Sequence, residues 1–333
     1  MNMHKWLVPL LITASWCFPV QPAIAQAPAA GAAYPVKAIR IVVGFAPGGP
    51  NDTLARLVGV RLTETLAVPV TVDNRPGADS IIGTELVARS PADGYTIAMV
   101  SSGATIHPNV YTSLPYSIAK DFAPVTVLAA SNFVVVVNSR VPVKTIKELI
   151  ALAKARPGQL NFAGSGVGDT IHLAAELFKS MAGVDMRLIA YKGGAPAMTD
   201  VVGGHVELMF SPMGIAMPHI ESGRLRALGV TSAERWPTLP DVPSVAEAGV
   251  PGYNVTGWYG MLAPRGTPRA YIERLHGEIA AYLKLADTRA RLLAMGMNPI
   301  GSTPDQMAVH IDAELIKWAR VAKAAKLTPR ALF

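Results

Sequence analysis

Short apolar runs rich in β-branched residues alternate along this chain with segments whose apolar residues return every three or four positions, and that rhythm leaves few folds open. IRIVVGF (39–45), a helical segment over 51–66, PVTVDN (69–74), a second helical segment around 83–89 and YTIAMV (95–100) follow one another. Strand, helix and strand in this order build βαβ units and a largely parallel sheet. The first helix repeats Leu54, Val58, Leu62 and Leu66 with Leu57 beside them, one apolar stripe to lay on that sheet.

The rhythm starts again at FVVVVNS (133–139). Thr145-Ile146-Lys147-Glu148 reads as a capping box, and its helix stops at Arg156-Pro157-Gly158. LNFAG, a helix over 169–181, RLIAY, a helix near 196–202, VELMF and RALGV complete the second series. NVTGWYGMLAP then reads as a strand. Thr267-Pro268 opens a helix with Ile272, Leu275, Ile279 and Leu283 on one face, and Thr303-Pro304-Asp305-Gln306 caps a last one. The pattern predicts an α/β protein of two lobes with a cleft between them, each a mostly parallel sheet flanked by helices. Residues 34–130 with 255–333 form the first lobe, and 131–254 form an inserted second. Two crossings, near 129–133 and 254–258, make a hinge.

The first 25 residues stand outside that fold. A basic MNMHK, the apolar WLVPLLITASWCFPV and Ala23-Ile24-Ala25 have the order of a secretory signal cleaved after Ala25, with 26–33 as a flexible leader. Pro9 and Pro19 break the apolar run, which argues against a retained membrane anchor, and Trp16 before Cys17 argues against lipid attachment. Cys17 is the single cysteine, so the mature chain has no thiol for disulfides, catalysis or metal. The expected location is the periplasm, as a monomer. Half of the residues are hydrophobic and 16% are charged, which suits a well-buried core. The formal charge of +7 falls by one when Lys5 leaves with the signal. Its densest basic set, Lys317, Arg320, Lys323 and Lys326, has the spacing of a solvated helix face, and no aromatic residues interleave as a nucleic-acid surface requires.

The loops that follow the strands carry the candidate chemistry. FAPGGPNDTLARL (45–57) ends a strand in a glycine pair and opens a helix, which supplies free N–H groups and a positive dipole end. Phe45, Ala46, Gly48, Gly49, Asn51 and Asp52 are its candidate binding residues, with Asn51 or Asp52 expected as the cap. The second series repeats the device in LNFAGSGVGDTIHLAAELF, where Ser165, Gly166, Gly168 and Thr170 precede or open a helix. One such helix end per lobe would hold a small carboxylate across the hinge. SSGATIHPN (101–109) adds Ser101, Ser102, Thr105 and His107 as possible donors. Enzyme chemistry finds less support. Gly164-Ser165-Gly166 lacks the spacing of a nucleophile elbow, and a helix start separates Ser165 from Asp169 and His172. No H-x-x-x-H pair suggests a metal, no dinucleotide fingerprint is complete, and no cofactor is expected.

Six motifs in order resemble the substrate-binding receptors of tripartite tricarboxylate transporters, the Bug-type periplasmic solute-binding proteins. They are YPVKAIRIVVGFAPGGPNDTLARL, VDNRPGADSIIGTELVARSPADGYT, SLPYSIAKDFAPVTVLA, AKARPGQLNFAGSGVGDTIHLAAELF, YKGGAPAMTDVVGGHVELMF and LPDVPSVAEAGVPGY. The resemblance implies a two-lobe receptor that closes on a carboxylate and delivers it to membrane transporter subunits, or presents it to a sensor kinase. It implies binding through the loops at 46–52, 101–107 and 165–170 and a cleft tyrosine at Tyr191. Two departures stand out: Ser211 where family members often have Asp, and His107 where Asn is common. If both face the cleft, they disfavour an ammonium group, and a di- or tricarboxylate or an aromatic acid is expected over an amino acid.

Overall fold

The structure is a computed structural model that describes residues 34–164, 169–191, 194–324 and 327–332. The expected signal and leader lie outside the described residues, as do Ser165, Gly166 and Gly168. Among the described residues no helix is long and apolar enough to cross a membrane.

β1 (Ile39–Val43), β2 (Val70–Asn74) and β3 (Thr96–Ser101) form a parallel set in the order β2-β1-β3, with α1 (Pro50–Leu66) and α2 (Ile81–Ala88) as crossovers. After β3 come the single turn α3 (Gly103–Ile106) and a 3-10 turn at His107–Asn109. β4 (Phe122–Asn138) follows, then α4 (Ile146–Ala155). A second parallel set has the order β7-β5-β6, from β5 (Asn161–Gly164), β6 (Arg187–Ala190) and β7 (Leu208–Pro212). Its helices are α5 (Thr170–Ala182), α6 (Gly194–Gly203) and α7 (Met213–Glu221). β8 (Leu225–Val230), β9 (Thr256–Pro264), α8 (Arg269–Lys284), α9 (Ala286–Ala294), β10 (Met297–Pro299) and α10 (Pro304–Ala324) complete the chain.

Two long strands join the parallel sets, and both run antiparallel to their neighbours. β9 lies between β3 and β4. β4 pairs with β9 and β10 through residue 132 and with β7 and β8 from residue 133 onward. The sequence reading starts a strand only at Phe133, so its first eleven residues are a correction. Pro124 hides them, because proline cannot donate to a ladder. The structure tolerates it at an irregularity, where the register with β9 shifts between Pro124 and Thr126. The apolar run 133–137 is buried, with Val134 to Val137 fully enclosed, as its unbroken hydrophobicity requires.

Both expected caps form, the second as a full box and the first with the Glu148 carboxylate accepting from Lys144 N–H instead of Thr145 N–H. Thr145 Oγ1 accepts the Glu148 N–H, and Thr303 and Gln306 cap each other reciprocally at 2.9 and 3.1 Å. The cap of α1 is different from the expected one. Pro50 is the first helical residue and Gly49 is the cap, so Asn51 and Asp52 fall in the first turn, both buried. Pro50 explains the shift, since its fixed φ and missing N–H suit the first helical position.

Candidate functional site

In parallel α/β sheets, loops that leave the carboxyl ends of the strands gather at one edge. Here both sets send theirs to one cavity of about 630 Å³. Gly44, Phe45 and Ala46 follow β1; Pro76, Gly77, Asp79 and Ser80 follow β2; Ser101, Ser102 and Gly103 end or follow β3. From the other set, Asp169, Thr170 and Ile171 follow β5; Gly194, Ala195 and Pro196 follow β6; Pro212 and Ile215 end or follow β7. Ser131 and Phe133 of β4 and Gly257, Trp258 and Tyr259 of β9 line it where the long strands cross.

This placement brings helix N-termini onto one space. Gly49, Pro50 and Asn51 belong to the start of α1, Thr170 and Ile171 to α5, Gly194 to Pro196 to α6, and Pro212 and Ile215 to α7. A helix start offers N–H groups without an intrahelical partner and a partial positive charge, worth roughly 0.3–1 kcal/mol for one nearby anion. No Lys, Arg or His lines the cavity among the described residues. Backbone dipoles and hydroxyls are its groups suited to an anion, aromatic rings and prolines supply apolar contact, and Asp79 and Asp169 are the carboxylates on its described wall. Asn51 adds an acceptor: it is only 7% exposed, and its Oδ1 is buried without a partner among the described residues.

The family described as "Tripartite tricarboxylate transporter family receptor", TctC, matches residues 54–327. The chain belongs to this family. BugT of Bordetella pertussis is 37% identical to this TctC-family receptor over 299 residues, 89% of this chain and 92% of that one. Rpa4515 of R. palustris, solved with adipate, superposes with a TM-score of 0.83 at 38% identity, covering 90% of this chain and all of that one. MatC of Rhodopseudomonas palustris, solved with bound malate, gives 0.78 at 31% identity, covering 87% of this chain and all of that one. The receptor has the two-lobe periplasmic-binding-protein fold of these relatives.

Of the residues that the sequence singles out, the cavity wall of the receptor gathers Phe45, Ala46, Gly49, Asn51, Ser101, Ser102 and Thr170. Gly48, Asp52, Thr105, Tyr191 and Ser211 do not line it. Gly48 and Asp52 serve the loop itself: the Asp52 carboxylate accepts from Gly48 N–H, Asn74 Nδ2 and Arg56 Nε at 2.9, 3.0 and 2.9 Å. The Arg56 hydrogen bond leads in holding this carboxyl at about 2, with Gly48 and Asn74 adding to it against the opposing effect of burial. Thr105 is enclosed and donates to Ser102 O. Ser211 is enclosed in β7 and donates to Pro212 O. Tyr191 donates to Asp200 Oδ2 at 2.6 Å; burial and then that carboxylate raise its hydroxyl to about 12.

His107, 1% exposed, does not line the cavity either, and its Nε2 is 3.2 Å from Asp79 Oδ2. A carboxylate only accepts, so Nε2 is the donor. The residue that reaches the cavity at this point is Asp79. The sequence reading does not single it out, although the signal lies within RPGADS, a loop at the carboxyl end of a parallel strand. The Ser165, Asp169 and His172 grouping is only partly within the described residues. There, Asp169 caps α5 by accepting the His172 N–H at 2.7 Å, a structural use of its carboxylate. Among the described residues no group of three or more His, Cys, Asp or Glu is placed to hold a metal ion.

Proposed function

We propose that this receptor binds a small carboxylate in the periplasm by hinge closure and delivers it unchanged to tripartite-type membrane subunits. The observation that carries the reading is the convergence of four helix starts, from both parallel sets, on a cavity whose described lining has no cationic side chain. That arrangement suits an anion held by backbone groups. The relatives solved with adipate and malate support the same ligand class. For closure, we take residues 34–130 with 255–333 and 131–254 as the moving lobes. β4 supports this division because it changes partners at 132–133, and β9, which returns the chain, starts at Thr256. The segment 1–25 would serve as the cleaved export signal, and the mature chain would work as a monomer without catalysis.

Thermal unfolding of the purified mature chain against succinate, adipate, citrate and benzoate tests the ligand class. A ligand that binds only the folded state adds about 2.7 kcal/mol at a hundredfold excess over Kd, so one carboxylate should raise the midpoint by several degrees. Recovery of that solute unchanged after prolonged incubation is the expected companion result. No shift with any of them, in protein first unfolded and refolded to remove a carried-over solute, would overturn the reading.

A further inference from the structure

A receptor for carboxylates that presents a carboxylate of its own to the ligand needs an account. Asp79 lines the cavity with 36% of its side chain exposed. It stands in a loop where Ala78, Asp79 and Ser80 have φ of 44°, 52° and 74°. Side chains other than glycine rarely adopt such angles, and asparagine and aspartate tolerate them best. Three in a row persist only where the surroundings hold them. They are held here. A Cβ on Gly44 would collide with Ser80 Cβ, and one on Gly83 would meet Gly44 Cα at 2.9 Å, so the loop and the start of α2 lie directly on the end of β1. From the other side, buried His107 fixes Asp79 Oδ2. Asp79 is thus aimed at the cavity by a clamped backbone and a sealed imidazole.

We infer that Asp79 is a specificity-determining residue, which accepts a hydrogen bond from a hydroxyl or ammonium group that the solute has in addition to its carboxylate. This inference rests on the carboxylate reading of the site. His107 occupies one oxygen, and Oδ1 has no protein donor among the described residues. An ionised carboxylate accepts and never donates, so a second carboxylate of the solute placed here would face an acceptor with no proton between them. A hydroxyl or ammonium satisfies Asp79 instead, as a charge-assisted hydrogen bond. The expectation of a cleft hostile to ammonium depends on His107 and Ser211 facing it; both are turned away, and Asp79 faces it instead.

The test is calorimetric titration with three matched series: succinate, malate and aspartate; adipate, 2-hydroxyadipate and 2-aminoadipate; benzoate, 4-hydroxybenzoate and 4-(aminomethyl)benzoate. Asp79→Asn and Asp79→Gly are the variants, since both residues tolerate φ of 52° and keep the fold accessible. In the native receptor, a donor-bearing member of one series should bind at least tenfold more tightly than its plain parent. In both variants that ratio should fall below threefold, whereas a purely structural role would weaken all members alike. The comparison of hydroxy with amino members tells which donor is taken. A plain parent that binds as tightly as its analogues, or a preference that survives both variants, overturns the role of Asp79 and leaves the carboxylate reading standing. Failure of all nine to bind overturns both.

Discussion

Ser102 Oγ and Thr170 Oγ1 lie 3.0 Å apart, although 68 positions separate them in sequence, and both line the cavity. Ser102 follows β3 in the first parallel set, and Thr170 opens α5 in the second. The hydrogen bond therefore ties the two sets together across the space that a ligand would enter. A neutral hydrogen bond contributes about 0.5–1.5 kcal/mol net, which corresponds to roughly a two- to tenfold change in a closing equilibrium. Thr170→Val and Ser102→Ala should each increase the radius of gyration of the ligand-free receptor in small-angle scattering. The double variant should be no more open than either single one, because the two hydroxyls make one bond. Additive opening would mean that they act separately.

Asp52 gives a prediction in pH. Its carboxyl is held at about 2, first by the Arg56 hydrogen bond and then by Gly48 N–H and Asn74, against an unfolded value near 3.9. A depressed folded value stabilises the fold above the unfolded value, and the gain is lost as pH falls through the folded one. The loss should run from about pH 4 to about pH 2 and amount to roughly 2.5 kcal/mol, since one unit is worth about 1.4. Asp52→Asn should cost a similar amount at pH 7 and flatten the acid limb of urea-unfolding curves between those values. An acid limb as steep as the native one would place the titrating group elsewhere.

Gly214 and Gly296 let α7 meet the turn between α9 and β10. A Cβ on Gly214 would lie 2.6 Å from Met295 O, and one on Gly296 would lie 2.6 Å from Met213 Cβ, at a φ of 72°. Alanine at either position has to move backbone, so each should lose about 1–3 kcal/mol in thermal unfolding. Gly277 is the control with opposite sign. It lies within α8, a Cβ there would meet nothing within 4 Å, and Gly277→Ala should gain about 0.5–1 kcal/mol. Equal effects at all three positions would show that close approach does not govern them.

Legibility in the sequence follows the range of the interaction. Thr145 with Glu148 and Thr303 with Gln306 are readable because each cap is closed within four residues. The first part of β4 is not, since Pro124 and the small residues around it fit a strand only through distant partners. α9 and β10 are short and take their form from packing on β4 and α8. In the site, glycine pairs and hydroxyls mark the loops after β1 and β3. The loop after β2 stays hidden because Ala78, Asp79 and Ser80 adopt backbone angles that a sequence usually signals with glycine. Which way a loop side chain turns is not legible at all. His107 and Asp52 have the chemistry of ligand contacts and spend it on Asp79, Asn74 and Arg56.

Gly44 offers the sharpest separation of site from stability. It follows β1 directly on the cavity wall, and a Cβ there would collide with Ser80 Cβ and lie 2.6 Å from Ser80 Cα and 2.8 Å from Ser80 O. Two of these three atoms are backbone, so Gly44→Ala cannot be absorbed by a side-chain rotation and must shift the loop that presents Asp79. Melting should fall by an amount typical of overpacking, about 1–3 kcal/mol. Affinity for a carboxylate that also bears a hydroxyl or ammonium donor should fall more than tenfold, because a binding group misplaced by even an ångström loses its geometry. Ser80→Gly in the same chain removes the side-chain clash but leaves the clash with the Ser80 backbone, so it should restore affinity only in part. Calorimetry and melting on the two variants check both statements. Native affinity in Gly44→Ala would mean that the loop after β2 does not shape the site.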